Sequence, residues 1–255
     1  MIYDKLTVAL LGALASERRE STNAHIARYL LSHQDELGDL SVKGLAQACN
    51  VGTGTVSRFC REVGFADFDE MRQGIEASAR RFEEVGVGET QEVRGIELCA
   101  TVSSALGQAA GSIDWEALDR LVDDLLGYEH ISVFGMLKAQ AAAVDLQVDL
   151  LMQGIYAETC VSHAEQLERI AKAGRDELIV VFSYTGSYFD ARDLTEAMRR
   201  VNRPKIWVVC GRRHKLPPFV ADRLLFTSTG TQAAHPYQLE LVAGLVAQEL
   251  ARRKS

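Results

Sequence analysis

The sequence predicts an α/β chain in two parts: an N-terminal all-α helix-turn-helix domain, then a doubly wound parallel-sheet domain. Three observations lead there. Up to about Phe82, apolar residues recur at helical spacing and no strand-like run occurs. From Trp115 onward, five apolar runs ("HISVFG", "GIYAET", "ELIVVFS", "KIWVVCG" and "DRLLFTS") alternate with helical stretches. These runs lack polar alternation, which marks strands covered on both faces, as in a parallel sheet flanked by helices. At 255 residues and 47% hydrophobic content, two domains fit better than one.

The opening "MIYDKLTVALLGALASERRE" has some features of a signal peptide. However, Asp4 offsets Lys5 and the apolar stretch is short. Leu6, Leu10, Leu11 and Leu14 share one helical face, so an amphipathic helix is expected. "STNAHIARYLLSH" repeats apolar residues at Ile26, Leu30 and Leu31, and "SVKGLAQACN", "TGTVSRFCREVG" and "DFDEMRQGIEASARRF" follow. The polar, glycine-bearing "EEVGVGET" marks a hinge, and a helix is expected around Val93 to Ala110. The expected division is residues 1–82 as the helical domain, 83–111 as linker and connecting helix, and 112–255 as the sheet domain. Between the strands, helices are expected over Lys138 to Met152, His163 to Ala173, Tyr188 to Val201 and Pro236 to Arg252. The apolar band of Leu239, Leu241, Val242, Leu245 and Val246, with the Leu6 to Leu14 helix, offers self-complementary surface for a homodimer or higher homo-oligomer.

Composition narrows the function classes. A formal charge of −7 argues against a protein that coats nucleic acid or anionic membrane through bulk charge. It leaves a DNA-binding module open, because local charge on one face is what counts there. The most apolar helix, Ala139 to Met152, is interrupted by Asp145 and Asp149, so no membrane span is expected. Cys49, Cys60, Cys99, Cys160 and Cys210 lie far apart with no Cys/His ligand spacing. They are expected to be small core residues in a reducing cytoplasm, with no metal and no cofactor.

"LAQACNVGTGTVSRF", Leu45 to Phe59, carries the helix-turn-helix signal. Two closely crossing helices need a small residue at the contact, supplied by Ala46. The turn needs a residue that tolerates a left-handed backbone, supplied by Asn50. Val51, Val56 and Phe59 fall where the second helix packs inward. Thr53, Gly54, Ser57, Arg58 and Arg61 then point outward, small, hydroxylated or basic, as a major groove and its phosphates require. Lys43 and Thr55 complete the expected DNA-contacting set. A purely structural helical pair, or one that contacts protein, is the alternative reading.

Over "ARYLLSHQDELGDLSVKGLAQACNVGTGTVSRFCREVGFADFDEMRQGI" the chain resembles the N-terminal domain of RpiR-type bacterial transcriptional regulators, most specifically in "TVSRFCREVGFADFDEMR". The C-terminal half, including "FSYTGS", resembles the sugar-isomerase (SIS) domain those regulators carry. The resemblance implies double-stranded operator DNA as one partner and a phosphorylated sugar as effector. Gly52 and Gly54 stand where the family usually has serine and alanine. Gly52 cannot cap the recognition helix, so Thr53 is expected to cap it.

In "VVFSYTGSYFD" an apolar strand stops at hydroxyls around a glycine, and a helical pattern follows. Hydroxyls, free N–H groups and a helix dipole together suit a phosphate or carboxylate. The resemblance implies a phosphate loop of the form Ser-x-Ser-Gly-x-Thr. Ser183 and Gly186 match, Thr185 is conservative, Tyr188 replaces the last threonine, and Ser187 is a nearby hydroxyl. The partner loop, Gly-x-Gly-x-Ser in the family, reads Gly135-Met136-Leu137-Lys138-Ala139 here. Lys138 either compensates as a point charge or is a solvated lysine. His163 and His235 each head a helix where they could face the pocket. The readings left open are a sensor of a phosphorylated sugar, a sensor of another small anion, and a degenerate domain kept for dimerisation. A sugar-phosphate isomerase, with Glu165, Glu240 or His235 as acid–base groups, is the enzymatic alternative.

Overall fold

The computed structural model describes residues 5–18, 20–33, 40–76, 84–191, 194–211, 215–228 and 231–254. They form two compact units, Met1–Arg80 with Cys160–Glu168, and Arg81–Thr159 with Arg169–Ser255.

The first unit contains α1 (Lys5–Ser16), α2 (Thr22–Ser32), α3 (Val42–Ala48), α4 (Thr53–Glu62) and α5 (Phe68–Glu76). Side-chain oxygens set two of the starts: Ser21 accepts from the Ala24 N–H and Ser41 from the Gly44 N–H. Leu6, Leu10, Ile26, Leu30, Leu45, Val56, Phe59 and Met71 make one buried core. Leu6 and Leu10 are therefore interior residues rather than self-association surface. Leu11, expected on the same face, is exposed. Cys60 lies in this core with its Sγ 3.9 Å from Met71 Sδ, and burial pushes its thiol up to about 11.

The turn between α3 and α4 is built as its residues require. Asn50 takes the left-handed conformation at φ 53°. The Val51 N–H then donates to Ala46 O at 2.8 Å, and buried Ala46 lets the helices cross closely. One expectation is corrected here. Gly52 is the N-cap of α4 and gives no side-chain bond, while Thr53 is already the first helical residue and does not cap.

The second unit contains α6 (Gln91–Ser112), α7 (Trp115–Gly127), β1 (His130–Gly135), α8 (Lys138–Met152), β2 (Ala157–Glu158), β3 (Glu177–Phe182), β4 (Lys205–Cys210), β5 (Asp222–Leu225) and α10 (His235–Lys254); α9 spans His163–Lys172. The sheet runs β2-β1-β3-β4-β5 with every pair parallel. β1, β3 and β4 are each buried over five successive residues, the covered-sheet pattern read from their composition. Chain order reverses between β1 and β3, and in parallel α/β sheets ligands bind at the carboxyl ends beside that reversal.

The expected boundary at residues 82 and 83 lies outside the described residues. The expected connecting helix, α6, is grouped with the sheet unit: Ala105 and Ala109 are buried, and Gln238 Nε2 donates to Ala105 O at 2.8 Å. The "hinge" glycines are tied to that helix, with the Gly88 N–H on Glu97 Oε2 at 3.1 Å and Arg94 on Gly88 O at 2.8 Å. α7 was not anticipated as a separate helix; Asp114 caps it, accepting from the Ala117 N–H at 3.0 Å.

Three further expectations are corrected. The helix over Tyr188 to Val201 is replaced, among the described residues, by short 3₁₀ turns at Tyr188–Ala191 and Ala197–Arg199. Successive Tyr188 and Phe189 are both buried and in edge contact at 4.9 Å, and Phe189 meets Phe219 at 5.2 Å. Packing there overrides the helical pattern. On α10, Leu239, Val242 and Val246 are fully buried within this unit, so these three of the five band residues are core, while Leu241 and Leu245 stay half-buried. Cys49, Cys60 and Cys210 are buried as expected, but Cys99 is exposed.

Gly54 carries the clearest stability prediction. A methyl added there meets no atom within 4 Å, and the backbone is ordinary helix. Gly54→Ala is expected to stabilise the N-terminal unit by up to about 1 kcal/mol, measured by chemical denaturation.

Candidate DNA-binding face and anion site

On α4, Thr53, Gly54, Ser57, Arg58 and Arg61 are all exposed, as is Lys43 on α3. Thr55 is half-buried and turns partly away from them. The helix itself organises the exposed set. Ser57 Oγ donates to Thr53 O at 3.1 Å, and Arg61 Nε donates to Ser57 O at 3.2 Å. Arg58 lies 3.6 Å from Glu62, with 63% of its side chain exposed. An ion pair that open contributes little, so the guanidinium can leave it for a stronger acceptor. Glu62 keeps a second partner, Asn23, whose Nδ2 donates to it at 2.7 Å. The Thr53 and Gly54 N–H groups, at the positive end of α4, have no acceptor among the described residues.

The candidate anion site sits where β1 and β3 end. Gly135 pairs with Phe182, so residues 136 and 183 leave the sheet on adjacent strands, about 4.8 Å apart. The two loops differ from what their sequences suggest. In the Ser183 loop the backbone is partly occupied. The Ser183 N–H donates to Val209 O at 2.9 Å and the Gly186 N–H to Ser183 O at 2.9 Å, while Tyr184 O accepts from the Gly211 N–H at 3.0 Å. The expectation that these N–H groups stay free is therefore corrected for Ser183 and Gly186, while the Thr185 and Ser187 N–H groups have no acceptor among the described residues. No α-helix follows among the described residues to supply a dipole. Gly186 does take the left-handed backbone, at φ 80°. This loop also offers side chains. Buried Ser183 has a hydroxyl without a partner among the described residues, and Thr185 Oγ1 and Ser187 Oγ share one hydrogen bond at 2.6 Å.

The altered loop supplies backbone donors as well. The N–H groups of Met136, Leu137 and Lys138 have no acceptor among the described residues, and they lead into α8, a fifteen-residue helix. Three successive N–H groups at a helix start favour an anion. Leu137 stands where a glycine is expected, and the backbone there keeps a glycine-like conformation, φ 52° and ψ −119°. An L residue in that region is strained by about 1–3 kcal/mol. Gly135 is required for a different reason: a Cβ there would lie 2.4 Å from Ala139 O. Exposed Lys138 is the cation of this loop.

His235 comes to lie beside the Ser183 loop, a contact that its position in the sequence left undecided. Its ring stands 4.7 Å from that of Tyr184, whose hydroxyl bonds Ser228. His163, by contrast, is grouped with the N-terminal unit. No cluster that could hold a metal occurs among the described residues.

Known proteins match both units. Residues 9–80 match the description "helix-turn-helix domain, rpiR family". These residues belong to that family. The regulator HexR of Pseudomonas aeruginosa is 28% identical over 178 residues, 67% of this chain and 61% of its own length. The chain thus spans under two thirds of that relative. The NanR protein of Vibrio vulnificus, solved with ManNAc-6P, superposes with a TM-score of 0.54 at 17% identity, covering 97% of this chain and 92% of its own. The sugar isomerase domain of an RpiR transcription factor from Sphaerobacter thermophilus superposes at 0.51 and 20% identity, over 62% and 90%. The C-terminal unit therefore has the SIS fold. Both strand-end loops keep unpaired backbone donors among the described residues, Met136 to Lys138 in one and Thr185 and Ser187 in the other.

Leu137→Gly is expected to raise unfolding stability by about 1 kcal/mol, because relief of strain outweighs the added freedom of the unfolded chain. Gly135→Ala is expected to lower it by about 1–3 kcal/mol through collision with the start of α8. Denaturant titration of both variants checks the pair.

Proposed function

We propose that this chain is a DNA-binding transcriptional regulator whose SIS unit senses a phosphorylated sugar, or a similar small anion, and thereby adjusts operator binding. One observation carries the reading. In a chain with an rpiR-type helix-turn-helix, unpaired N–H groups at residues 136–138 and the Ser183 hydroxyl adjoin the switch point of a parallel sheet. The ManNAc-6P bound by NanR supports the choice of a phosphorylated sugar. Such a protein works in the cytoplasm, on double-stranded DNA and without a cofactor.

A sensor fits better than an isomerase. Isomerisation needs a carboxylate and a histidine acting together at the sugar. Glu165 is exposed at the start of α9. The names of the regulators similar to this chain point the same way.

Binding to two half-sites requires two copies. Much of the α10 band is core, and α8 offers a second copy an exposed apolar stripe of Val144, Val148, Leu151 and Met152. A dimer would set its recognition helices on half-sites about 34 Å, or a multiple of that, apart.

Two experiments test this reading. Arg58→Ala should weaken binding to an operator selected from random DNA by about 1–3 kcal/mol and relax its sequence preference, while Lys43→Ala should mainly reduce the salt dependence. Unchanged binding by Arg58→Ala would remove α4 from the interface. In a screen of sugar phosphates by thermal shift, a ligand should raise the midpoint of the wild type. Ser183→Ala with Thr185→Val should abolish that rise with little change in ligand-free stability. Absence of any shift at millimolar ligand would leave the unit with dimerisation alone.

A further inference from the structure

The two arginines on the outward side of α4 are held differently. Arg61 turns its Nε back onto its own helix, at Ser57 O, 3.2 Å away. Arg58 has a carboxylate beside it. Its Nε lies 3.6 Å from Glu62 Oε1, and its guanidinium meets no other partner among the described residues. The two terminal nitrogens of Arg58 are therefore left over, at the far end of the planar group.

Glu62 stands where its own helix does not favour it. It is the last residue of α4, where a carboxylate meets the negative end of the helix dipole. Its i,i+4 pairing with Arg58 runs in the weaker order, arginine before glutamate. A negative charge on a helix that faces DNA also repels phosphates. What holds Glu62 in place comes from α2. Asn23 Nδ2 donates to Glu62 Oε2 at 2.7 Å and to Glu17 Oε1 at 2.9 Å. With carboxylates on both N–H bonds the amide has one sensible orientation, because its oxygen would be repelled there. Asn23 is the second residue of α2, so the positive end of that helix favours both acids. The two oxygens of Glu62 are thus divided: Oε2 is anchored to α2, and Oε1 faces the Nε of Arg58.

We propose that Glu62, anchored by Asn23, is a positioning residue that aims Arg58 at a base edge. Held at Nε, the guanidinium presents its two terminal nitrogens together, as the O6 and N7 of a guanine in the major groove require. Reaching aside to a phosphate separates Arg58 from Glu62 and leaves the anchored carboxylate uncompensated beside the DNA backbone. The pair contributes little to stability; its effect is one of direction, favouring a base over a phosphate. This rests on the reading of α4 as the recognition helix. It adds to that reading a residue that sets specificity, and the base, guanine, that Arg58 selects.

The test compares full-length wild type with Glu62→Gln, Asn23→Ala and Arg58→Ala over a range of salt. The probes are an operator selected from random DNA, the same duplex with each guanine of a half-site replaced in turn, and an unrelated duplex. The wild type should lose affinity sharply at one guanine, and Arg58→Ala should abolish that discrimination. Glu62→Gln should reduce it by roughly five- to tenfold and bind unrelated DNA more tightly, since a charge that repels phosphate is gone. Asn23→Ala alters no charge, so it should reduce the same discrimination while its salt slope on unrelated DNA stays that of wild type. In an Arg58→Ala background, Glu62→Gln should tighten operator and unrelated DNA equally and leave their ratio unchanged. If Asn23→Ala does not fold, Glu62→Gln at its exposed position decides, together with the double variant. Discrimination kept by Glu62→Gln but lost by Arg58→Ala overturns the positioning role and leaves α4 as the recognition helix. A ratio lowered by Glu62→Gln as much without Arg58 as with it overturns that role as well. Discrimination untouched even by Arg58→Ala overturns both.

Discussion

The parallel pairing of β1 with β3, in register from His130↔Glu177 to Gly135↔Phe182, is the constraint on which the sheet half of the chain depends. It aligns the ends of two strands whose paired residues, Gly135 and Phe182, are 47 positions apart in sequence. The sheet order reverses at this pair, the place where parallel α/β sheets leave a crevice at their strand ends. Continuous burial of β1, β3 and β4 holds the pairing in place. A slip of one residue would exchange the buried faces of a strand and separate the two loops by a strand step.

Backbone and side chain divide the work between those loops. The loop rich in hydroxyls spends the Ser183 N–H on Val209 O of the neighbouring strand and the Gly186 N–H on its own turn at Ser183 O. It keeps side-chain donors for a ligand. The other loop has lost its hydroxyl to Ala139, yet its main chain keeps the conformation and the unpaired N–H groups of a glycine-containing anion loop. Leu137 is held in a conformation that costs it about 1–3 kcal/mol, and the alignment of strand, turn and helix start supplies the restraint. Retained strain of this kind is more informative than a motif, because packing must oppose it continuously.

The DNA-binding half reaches its geometry with less demand on any one residue. A buried core from five helices sets α3 against α4, while Asn50 and Ala46 permit the tight turn. The recognition helix starts at a glycine cap and carries another glycine, yet its inward residues Val56 and Phe59 are fully buried and hold it in register. Tertiary packing therefore outweighs the poor intrinsic propensity of its first turn. The local basic groups of α4 also show how a chain of formal charge −7 can present a face suited to phosphate.

The strands, most of the helices and the outward face of α4 were legible in the sequence, because burial and helical periodicity act locally and leave a repeating pattern. So were Asn50 and Gly186, whose conformations follow from what each residue tolerates. Tertiary structure alone decided the remainder. A band of apolar residues reads the same whether its partner is the chain's own core or a second copy, so Leu239, Val242 and Val246 were placed only by α10 packing inside its unit. Helical periodicity after Gly186 gave way to the burial of Tyr188 and Phe189 together. Which N–H groups stayed unpaired depended on partners far along the chain, such as Val209 for Ser183. The place of His235 was decided the same way, by a contact between α10 and a loop some fifty residues earlier, which no local pattern encodes.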